Sequence, residues 1–355
     1  MYHKEITFIC HVAPERFLGS IPDLSNAAFL FQNKVIKALQ PSTILSILPL
    51  PCIGIKTEND AKMKYFNGRQ SKIKLIKLFY DLIDTLIILP KNQINLYYNL
   101  NVQNFLILFL SKYFKNSKNF VIIADFEPSN SYKNIFRYIL QKMINYCYNY
   151  CDGVIILNHN INVGKKSLLF PALVDKDNLP KLLQNSDPKL ILFSGSISTS
   201  TGIDLAIQAM DYLPEFNLVI TGKLFQFEKN ELDKLIVNSK YKNIKYQGNL
   251  TYQDYQNLLN QCTYTLSLRN IKLIEHQYNF PSKIVEYLSY NKVVVSTKVY
   301  EELQDNVILF TEYDGKSLAN VIKNHNELIC DRRKYVIENF ELSIFKNRVF
   351  EFIYG

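Results

Sequence analysis

The sequence predicts an α/β protein built from two doubly wound, Rossmann-like halves. The chain has 355 residues, whereas a typical domain has ~100–200, so two domains are expected. Short apolar segments alternate with helical patterns, as in parallel sheets that helices cover on both faces. Six such segments follow one another from Lys189 onward, which is typical of a doubly wound sheet.

The half that begins at Lys189 shows this alternation most clearly. Its predicted strands read, in order, KLILFSGSI, FNLVITG, IKYQGNL, YTLSLR, KVVVST and NVILF. Its predicted helices read TGIDLAIQAMDYL, ELDKLIVNSK, YQDYQNLLNQC, YNFPSKIVEYLS and SLANVIKNH. The strands are short aliphatic runs, and the helices have apolar residues at helical spacing.

The first half has the same rhythm, with longer helices between the strands. Its predicted strands read EITFICHVA, STILSILPL, INLYYNL, NFVIIADF and GVIILN. Its clearest helices read LSNAAFLFQNKVIKAL and YKNIFRYILQKMINYCYNY. The halves meet in the stretch Leu168–Pro188, where prolines and charges interrupt the periodicity. The predicted domains are therefore 1–172 and 173–339.

The composition excludes several classes of protein. Hydrophobic residues make up 48% of the chain, too many for a disordered protein. The N-terminal MYHKEITFIC lacks the apolar core of a signal peptide. No apolar run reaches the length of about 18 residues that a membrane span requires. The six cysteines are dispersed, which indicates reduced thiols in a cytoplasmic protein.

The motifs and the charge narrow the choice of ligand. The five histidines have no zinc spacing, so no metal site is predicted. A G-x-G-x-x-G motif is missing, which disfavours a dehydrogenase, and no other cofactor motif is present. The net charge of +9 fits nucleic acid, an anionic membrane or anionic small substrates. The basic residues form no known nucleic-acid-binding module, so no nucleic-acid partner is expected.

The helix in Tyr278–Ser289 predicts an anion site. Its free N–H groups and positive dipole end lie at the first turn, where Lys283 adds a full charge. Ser282, Lys283 and Glu286 share one edge, and Glu286 lies about 5 Å further along the axis. A phosphate at the helix start would leave this carboxylate within reach of a neighbouring ribose. The alternative is that Ser282 caps the helix while Lys283 and Glu286 are solvated.

The segment YNFPSKIVEYLSYNKVVVST resembles the donor-site signature of retaining glycosyltransferases with the GT-B fold, family 4 and its relatives. These often have a Phe-Pro-Ser-Lys run, a glutamate three positions later and a strand of valines. LILFSGSISTSTGIDLAIQAM, LVITGK and IKYQGNL follow the same family order. The resemblance covers most of Lys189–Thr297 and more loosely the whole chain. It implies a GT-B architecture, with an acceptor domain at 1–172, a donor domain at 173–339 and a C-terminal helix at about 340–355 on the acceptor domain.

The resemblance also implies a donor site for a nucleotide sugar. Glu286 would bind the ribose hydroxyls, and backbone N–H groups around Ser282 and Lys283 would hold the distal phosphate. Gly195 and Ser196 would lie near the pyrophosphate, and Gly222 and Lys223 would line the same cleft. Asn249 and Leu250 would flank the base. The full predicted set is Gly195, Ser196, Gly222, Lys223, Asn249, Leu250, Arg269, Tyr278, Asn279, Pro281, Ser282, Lys283 and Glu286.

Three positions depart from the family pattern. Tyr278 stands where the family commonly has a glutamate, Ser196 where it has an arginine, and Thr201 where it has a lysine. Two cations that would neutralise phosphate are therefore missing. An active enzyme needs replacements for them, because such cations stabilise the leaving diphosphate. The substitutes expected are Lys223, Arg269 and Lys283.

The ADFEPS segment of the first half supplies two candidate catalytic carboxylates. Asp125 and Glu127 are two residues apart, so in a strand they would project on the same face. The resemblance places this loop near the acceptor hydroxyl, which a carboxylate could orient or deprotonate. The alternative is a polar cluster that caps the following helix. Family members are thought to use front-face displacement, in which the leaving phosphate helps to take the proton.

The resemblance implies sugar transfer from a nucleotide diphosphate sugar, with UDP as first choice, to a hydroxyl of a glycan or lipid-linked acceptor. Retention of configuration and independence of metals are expected. A D-x-D pair, Asp175 and Asp177, is interpreted as solvated acids in the linker. The alternative function is a non-catalytic GT-B partner subunit, which binds nucleotide sugar or a glycosyltransferase partner without turnover.

A basic stretch of the first half predicts contact with an anionic membrane. The segment KMKYFNGRQSKIKLIKLFYDLIDTLIIL combines an apolar stripe with the six cations Lys62, Lys64, Arg69, Lys72, Lys74 and Lys77. Basic amphipathic segments bind anionic membrane surfaces. The prediction is a cytoplasmic enzyme at the inner face of the membrane. The alternative is an ordinary helix on the first sheet with a solvated lysine face.

Overall fold

The structure is a computed structural model that divides into two units, each built on a parallel sheet. It describes residues 5–12, 26–47, 63–66, 74–91, 93–102, 104–182, 186–224, 226–240, 243–325 and 331–355. The first unit comprises Met1–Asp175 and Phe340–Gly355, and the second comprises Lys176–Asn339. The predicted α/β class with two Rossmann-like units is confirmed.

The first unit has a sheet whose described strands run in the order β3-β2-β1-β4-β5-β6-β7. All the strand pairs in this sheet are parallel. Its elements are β1 (Ile6–Cys10), α1 (Asn26–Leu39), β2 (Thr43–Ile47), β3 (Met63–Phe66), α2 (Lys74–Ile88), β4 (Ile94–Tyr98), α3 (Phe105–Lys115), β5 (Lys118–Ile123), α4 (Ile135–Cys147), β6 (Gly153–Ile156), β7 (Ser167–Leu169) and, from the chain end, α11 (Leu342–Tyr354).

The second unit has a parallel sheet with the order β10-β9-β8-β11-β12-β13 in the described residues. Its elements are β8 (Asp187–Ser194), α5 (Ile203–Met210), β9 (Asn217–Thr221), α6 (Gln226–Val237), β10 (Ile244–Tyr246), α7 (Tyr252–Gln261), β11 (Cys262–Ser267), α8 (Ser282–Ser289), β12 (Val293–Ser296), β13 (Leu309–Phe310), α9 (Gly315–Lys323) and α10 (Arg332–Phe340), the last ending at the unit boundary.

The strand order fixes where ligands are expected in the second unit. The chain proceeds from β8 outward to β9 and β10, and then returns to place β11 on the other side of β8. In open α/β sheets, ligands bind beyond the carboxyl ends of the strands at such a reversal. Here these ends are Ser194 of β8 and Ser267 of β11.

The helices of the first unit form two layers. The connections through α2, α3 and α4 all move in one direction along the sheet, whereas the connection through α1 moves in the other. Because such crossovers are right-handed, α2, α3 and α4 share one face of the sheet and α1 lies on the opposite face. Helix α11 packs against α1. Its start is tied to the chain by the Leu342 N–H, which donates to Val174 O at 3.1 Å.

Some elements differ from the sequence-based expectation. Met63–Phe66, which was assigned to the basic amphipathic segment, is an edge strand paired with β2. The predicted strand NVILF shortens to Leu309–Phe310 at the other sheet's edge. Ser167–Leu169 and Arg332–Phe340 were not predicted as elements. Edge strands and polar helices have weak hydrophobic patterns, so tertiary pairing decides them.

Candidate functional site

The start of α8 lies at the reversal point of the second sheet and has no side-chain cap. Pro281 occupies the N-cap position with an extended backbone conformation. Its side chain has no acceptor atom, so it makes no capping hydrogen bond with the helix. Ser282 is the first helical residue and is exposed. The alternative in which Ser282 caps the helix is therefore wrong. Ile284 N donates to Pro281 O at 3.0 Å, which leaves the N–H groups of Ser282 and Lys283 as the first-turn donors for an anion.

Lys283 places its ammonium beside the glycine that follows β8. Its Nζ donates to Ser194 Oγ at 2.8 Å, and that hydroxyl lies 2.8 Å from the Tyr287 hydroxyl. The Nζ also lies 5.5 Å from the centroid of the Tyr255 ring. A Cβ atom added to Gly195 would be only 3.3 Å from Nζ. The ammonium is thus fixed by a hydroxyl and an aromatic face at the carboxyl end of β8.

The electrostatics of Lys283 favour an anionic ligand. Burial lowers the pKa of Lys283, Glu286 partly offsets this effect, and the positive charge of Arg269 lowers the pKa further. A buried cation is costly unless an opposite charge compensates it. A diphosphate at this position would supply two to three negative charges, so its binding would stabilise the protonated lysine.

Glu286 is oriented by a tyrosine that the sequence did not single out. The Tyr255 hydroxyl on α7 donates to Glu286 Oε2 at 3.1 Å. Burial is the main cause that raises the pKa of Tyr255 far above its ordinary value, so this hydroxyl stays protonated as a donor. Tyr255 therefore touches both predicted ligand groups of α8, the carboxylate with its hydroxyl and Lys283 with its ring.

Two glycine turns pack against each other beside Lys283. Gly195 and Gly222 have φ angles of +132° and +138°, which L side chains rarely adopt. A Cβ atom on Gly222 would lie 1.7 Å from Gly195 O. Hydrogen bonds continue the contact, since Gly195 N donates to Thr221 O at 3.0 Å and Gly222 N donates to Gly248 O at 2.9 Å. The backbones at the carboxyl ends of β8 and β9 are therefore in direct contact, with no side chain between them.

The other predicted donor-site residues follow these strands or precede α8. Ser196, Lys223 and Asn249 are exposed, whereas Leu250 and Tyr278 are partly buried. The structure therefore brings the residues after β8, β9 and β10 to one sheet edge, as parallel strands require.

Arg269 and Asn279 complete the predicted set. Thr297 holds the backbone of Arg269 on both sides, accepting from its N–H at 2.7 Å and donating to its carbonyl at 2.9 Å. Asn279 Oδ1 is buried without a hydrogen-bond partner among the described residues. The binding roles assigned to these side chains stay predictions.

Ser194, Tyr255 and Tyr287 are members of this constellation that sequence reasoning missed. Ser194 is the last residue of an apolar strand, and Tyr287 is fully buried within α8. Tyr255 lies on a different helix, 31 residues from Glu286. A signal existed for Ser194, because the residue that ends a strand at a reversal point faces the ligand edge. For Tyr255 and Tyr287, no sequence pattern indicated a place in the site.

The candidate carboxylates of the first unit lie in a loop, so the expected strand alternation was wrong. Strand β5 ends at Ile123, and Asp125 and Glu127 follow it. Asn99 Nδ2 donates to Asp125 Oδ2 at 3.4 Å, whereas the Tyr132 hydroxyl donates to Glu127 Oε2. Neither carboxylate caps α4.

The loop after β5 is held by side-chain contacts with its neighbours. Helix α4 is capped by Asn134, whose side chain accepts from two helical N–H groups. Gln141 and Asn145 of α4 both donate to the backbone carbonyl of Glu127, at 3.2 and 3.0 Å. Burial raises the pKa of Asp125, and the negative charge of Glu127 adds to this effect.

A polar network stands at the reversal point of the first sheet. His11 Nδ1 donates to Ile47 O at 2.8 Å, so its Nε2 accepts from Asn101 Nδ2 at 3.1 Å. Burial lowers the pKa of His11, which keeps the ring neutral. Both ring nitrogens are therefore engaged, and the histidine links the end of β2 to Asn101, which follows β4.

The two linker carboxylates have different environments, since Asp177 is exposed, as predicted, whereas Asp175 is largely buried. Asp175 was expected to be solvated, but it forms an ion pair with Lys37 Nζ at 2.6 Å and its side chain is only 11% exposed. That expectation was wrong because Asp175 packs against α1. Within the described ranges, no group of three or more His, Cys, Asp or Glu residues could hold a metal ion.

The basic segment is described only in part. Lys62, Arg69 and Lys72 lie outside the described residues, as do the side chains of the other three cations, Lys64, Lys74 and Lys77. No helix in the part of the chain that the structure describes is long and apolar enough to cross a membrane.

A family comparison finds a match for the second unit. Residues 174–339 match the family model described as Glycosyl transferases group 1. The matched segment, which is less than half of the chain, is similar to group 1 glycosyltransferases. The predicted enzyme class, a glycosyltransferase, is therefore confirmed. No curated protein sequence matches the chain.

Solved structures share the fold of the whole chain at low sequence identity. Sucrose-phosphate synthase from Thermosynechococcus elongatus is 11% identical with a TM-score of 0.69, and the match covers 99% of each chain. The lipopolysaccharide outer core galactosyltransferase WaaB in its apo form is 12% identical with a TM-score of 0.67, covering 98% of this chain and 99% of that one. UDP-GlcNAc 2-epimerase from Neisseria meningitidis, bound to UDP-GlcNAc, is 13% identical with a TM-score of 0.56, covering 98% and 99%. The predicted GT-B architecture is confirmed.

Proposed function

We propose that this glycosyltransferase moves a sugar from a nucleotide diphosphate sugar to a hydroxyl of a glycan or lipid-linked saccharide. The proposal includes retention of configuration, UDP as the first nucleotide to test, and a site of action on the cytoplasmic side of a membrane. A family 4-like donor site in the second unit carries the nucleotide. The group 1 domain supports sugar transfer as the reaction class.

The single observation that carries the donor assignment is the setting of Lys283. The side chain of Lys283 is partly buried, and its ammonium lies beside Gly195 at the uncapped start of α8. A helix N-terminus and a buried cation together form a strong anion site, because both stabilise negative charge in a poorly solvated place. A diphosphate is the anion that we assign to this place, at the ligand edge of the sheet.

The same geometry suggests how the reaction is assisted. The bond between the anomeric carbon and the diphosphate oxygen breaks, and the anomeric carbon bonds to the acceptor oxygen. Negative charge grows on the leaving diphosphate, where Lys283 and the first-turn N–H groups of α8 would stabilise it. Glu286, held by Tyr255, would accept hydrogen bonds from the ribose hydroxyls. These contacts would fix the donor while the bond breaks.

The acceptor proton has two chemically reasonable destinations. The leaving diphosphate can take it on the face where the new bond forms, which suits retention. Asp125, whose pKa burial raises, can hold or orient the hydroxyl instead. We propose Asp125 and Glu127 as candidate catalytic residues on this basis.

A screen of nucleotide sugars tests the proposed reaction. Purified protein is incubated with UDP-, GDP- and ADP-linked hexoses, and release of the nucleoside diphosphate is measured with and without saccharide acceptors. Release from one donor class, lost in Lys283→Met and kept in the exposed Lys272→Met, is the expected result. Diphosphate binding without any release would favour the non-catalytic partner subunit. The observation that favours this second candidate is the loss of three family residues: Ser196 and Thr201 stand in place of cations, and Tyr278 stands in place of a glutamate.

Replacing Glu286 by alanine is expected to weaken nucleotide binding. Two charge-assisted hydrogen bonds to ribose hydroxyls contribute ~2–3 kcal/mol, so the dissociation constant for the diphosphate should rise roughly 30- to 150-fold. Titration calorimetry measures this change. The matched control is Glu312→Ala, which removes an exposed carboxylate from the same unit and should change affinity little. Equal, small losses of affinity in both variants would show that Glu286 does not bind the nucleotide.

Activity is expected to survive a chelator. In the proposed site, phosphate charge is neutralised by Lys283 and a helix terminus, so no divalent ion is required. Transfer assays with and without EDTA measure this directly, after dialysis against the chelator. A complete loss of activity in EDTA that Mg²⁺ or Mn²⁺ restores would contradict the proposal. It would indicate that carboxylates of the chain bind a divalent ion.

A further inference from the structure

Helix α4 presents large apolar side chains on the side that faces away from its sheet. Ile144 is the buried residue of the helix. On the opposite side, Ile135 is 70% exposed, and Ile139, Met143 and Tyr146 are at least half exposed. Their spacing of four, four and three residues places them on one helical face. An exposed helix face is normally polar, so this helix has two apolar sides.

The apolar surface continues onto the neighbouring helix α3. The rings of Tyr146 and Tyr150 lie 5.4 Å apart, those of Tyr150 and Phe109 lie 5.5 Å apart, and those of Phe109 and Tyr113 lie 4.9 Å apart. Tyr113 of α3 is 65% exposed. We define the α3–α4 face by its exposed members, Tyr113, Ile135, Phe136, Ile139, Met143 and Tyr146. Contiguous exposed patches of this kind mark interaction sites.

The charge in the stretch that contains α4 has one sign. The sequence contains no Asp or Glu from 128 to 151. Lys133, Arg137 and Lys142 are exposed in the same stretch. Lys142 lies between Ile139 and Tyr146 on the outward side of the helix, because these positions are three and four residues away. The face is therefore apolar at its centre and basic around it.

We propose that the α3–α4 face docks onto an anionic lipid bilayer. Apolar side chains insert at the headgroup boundary while cations contact the lipid phosphates, which is the binding mode of interfacial helices. Tyrosine suits this boundary, because its ring is apolar and its hydroxyl is polar. The alternative of a second copy is disfavoured by charge. In a two-fold contact of this stretch with itself, its cations would find no carboxylate of the same stretch to pair with.

Docking through α4 would hold the Asp125–Glu127 loop close to the membrane. Gln141 and Asn145 of α4 bind the Glu127 carbonyl directly, so the loop and the helix are one local structure. A lipid-linked acceptor would then meet this loop at the bilayer surface. Docking itself does not depend on that role, nor on the donor site in the other unit.

The experiment is sedimentation of the full chain with vesicles, using 30:70 phosphatidylglycerol:phosphatidylcholine (about 30% anionic lipid) and pure phosphatidylcholine. The wild type should pellet with the anionic vesicles at low salt, bind the neutral ones weakly, and detach as salt increases. Ile139→Glu with Met143→Glu should reduce the partition coefficient at least tenfold. Changing Lys133, Arg137 and Lys142 to Gln should reduce it about fivefold per cation.

The matched control is Val237→Glu, which changes an 80% exposed apolar residue of α6 in the second unit. It should bind vesicles like the wild type. Circular dichroism and nucleotide affinity report that each variant is folded. Vesicle binding that is equal in all variants, or missing in the wild type, would overturn the proposal. Sedimentation velocity that shows a wild-type dimer and a monomeric Ile139→Glu, Met143→Glu variant would overturn it in favour of a protein interface.

Discussion

Lys283→Met is expected to reduce kcat/KM for the donor by about 100- to 1,000-fold, the usual loss when a preorganised group for transition-state charge is removed. Methionine keeps most of the side-chain volume, so the packing against Tyr255 and Ser194 persists while the charge is lost. The dissociation constant for the nucleoside diphosphate should rise roughly 10- to 100-fold, as expected for a charge-assisted contact. Steady-state kinetics and calorimetry measure the two effects separately.

The pH dependence of binding gives Lys283 a signature of its own. The protonated form binds the diphosphate, and the bound anion raises the pKa of Lys283. In the free protein this pKa lies below its ordinary value of 10.5, chiefly because of burial. Affinity should therefore be constant above about pH 7, where the diphosphate is fully ionised, and fall as the pH rises through the lowered pKa. Lys283→Met should lose this alkaline phase, whereas Lys272→Met should keep both the phase and the wild-type activity.

Gly222→Ala is expected to destabilise the second unit by about 3 kcal/mol or more, since it combines backbone strain with a direct overlap. The new Cβ would lie 1.7 Å from Gly195 O and 2.7 Å from its carbonyl carbon. Backbone atoms cannot move aside as a flexible side chain can, so the turns after β8 and β9 must separate. The urea midpoint of unfolding measures the loss. Donor binding should fall as well, because Gly195 adjoins Lys283 Nζ.

Gly248→Ala is the matched control for that substitution. Gly248 also has a positive φ angle, +73°, but a Cβ atom there would meet nothing within 4 Å. Only the backbone cost of roughly 1–2 kcal/mol should remain. A Gly222→Ala protein that is no less stable than Gly248→Ala would show that the two glycine turns are not packed as described.

Much of the fold could be predicted from the sequence, because most strands of both sheets are buried aliphatic runs. The runs KLILFS and FVII predict β8 and β5 directly, and the helices between such strands have apolar residues at helical spacing. The edges were harder to predict. Met63–Phe66 and Leu309–Phe310 are short, and their pairing partners, rather than their own patterns, make them strands.

The candidate site was predictable where it depends on local helix chemistry and unpredictable where it depends on contacts between elements. The uncapped first turn of α8 follows from Pro281 and the residues after it. The contact of Tyr255 with Glu286 joins two helices, and the contact of Lys283 with Ser194 joins a helix to a strand. Asp125 and Glu127 were misplaced because a strand's end depends on its neighbours, and β6 extends only to Ile156 beside β5.

The most direct test of the account is calorimetric titration of the wild type with UDP, GDP and ADP, each compared with its monophosphate. At least one diphosphate should bind with a dissociation constant below about 1 mM, a free energy of about −4 kcal/mol. Its monophosphate should bind at least tenfold more weakly, and Lys283→Met should remove most of that difference. No binding of any diphosphate at millimolar concentration, or equal binding of diphosphate and monophosphate that Lys283→Met leaves unchanged, would contradict the account.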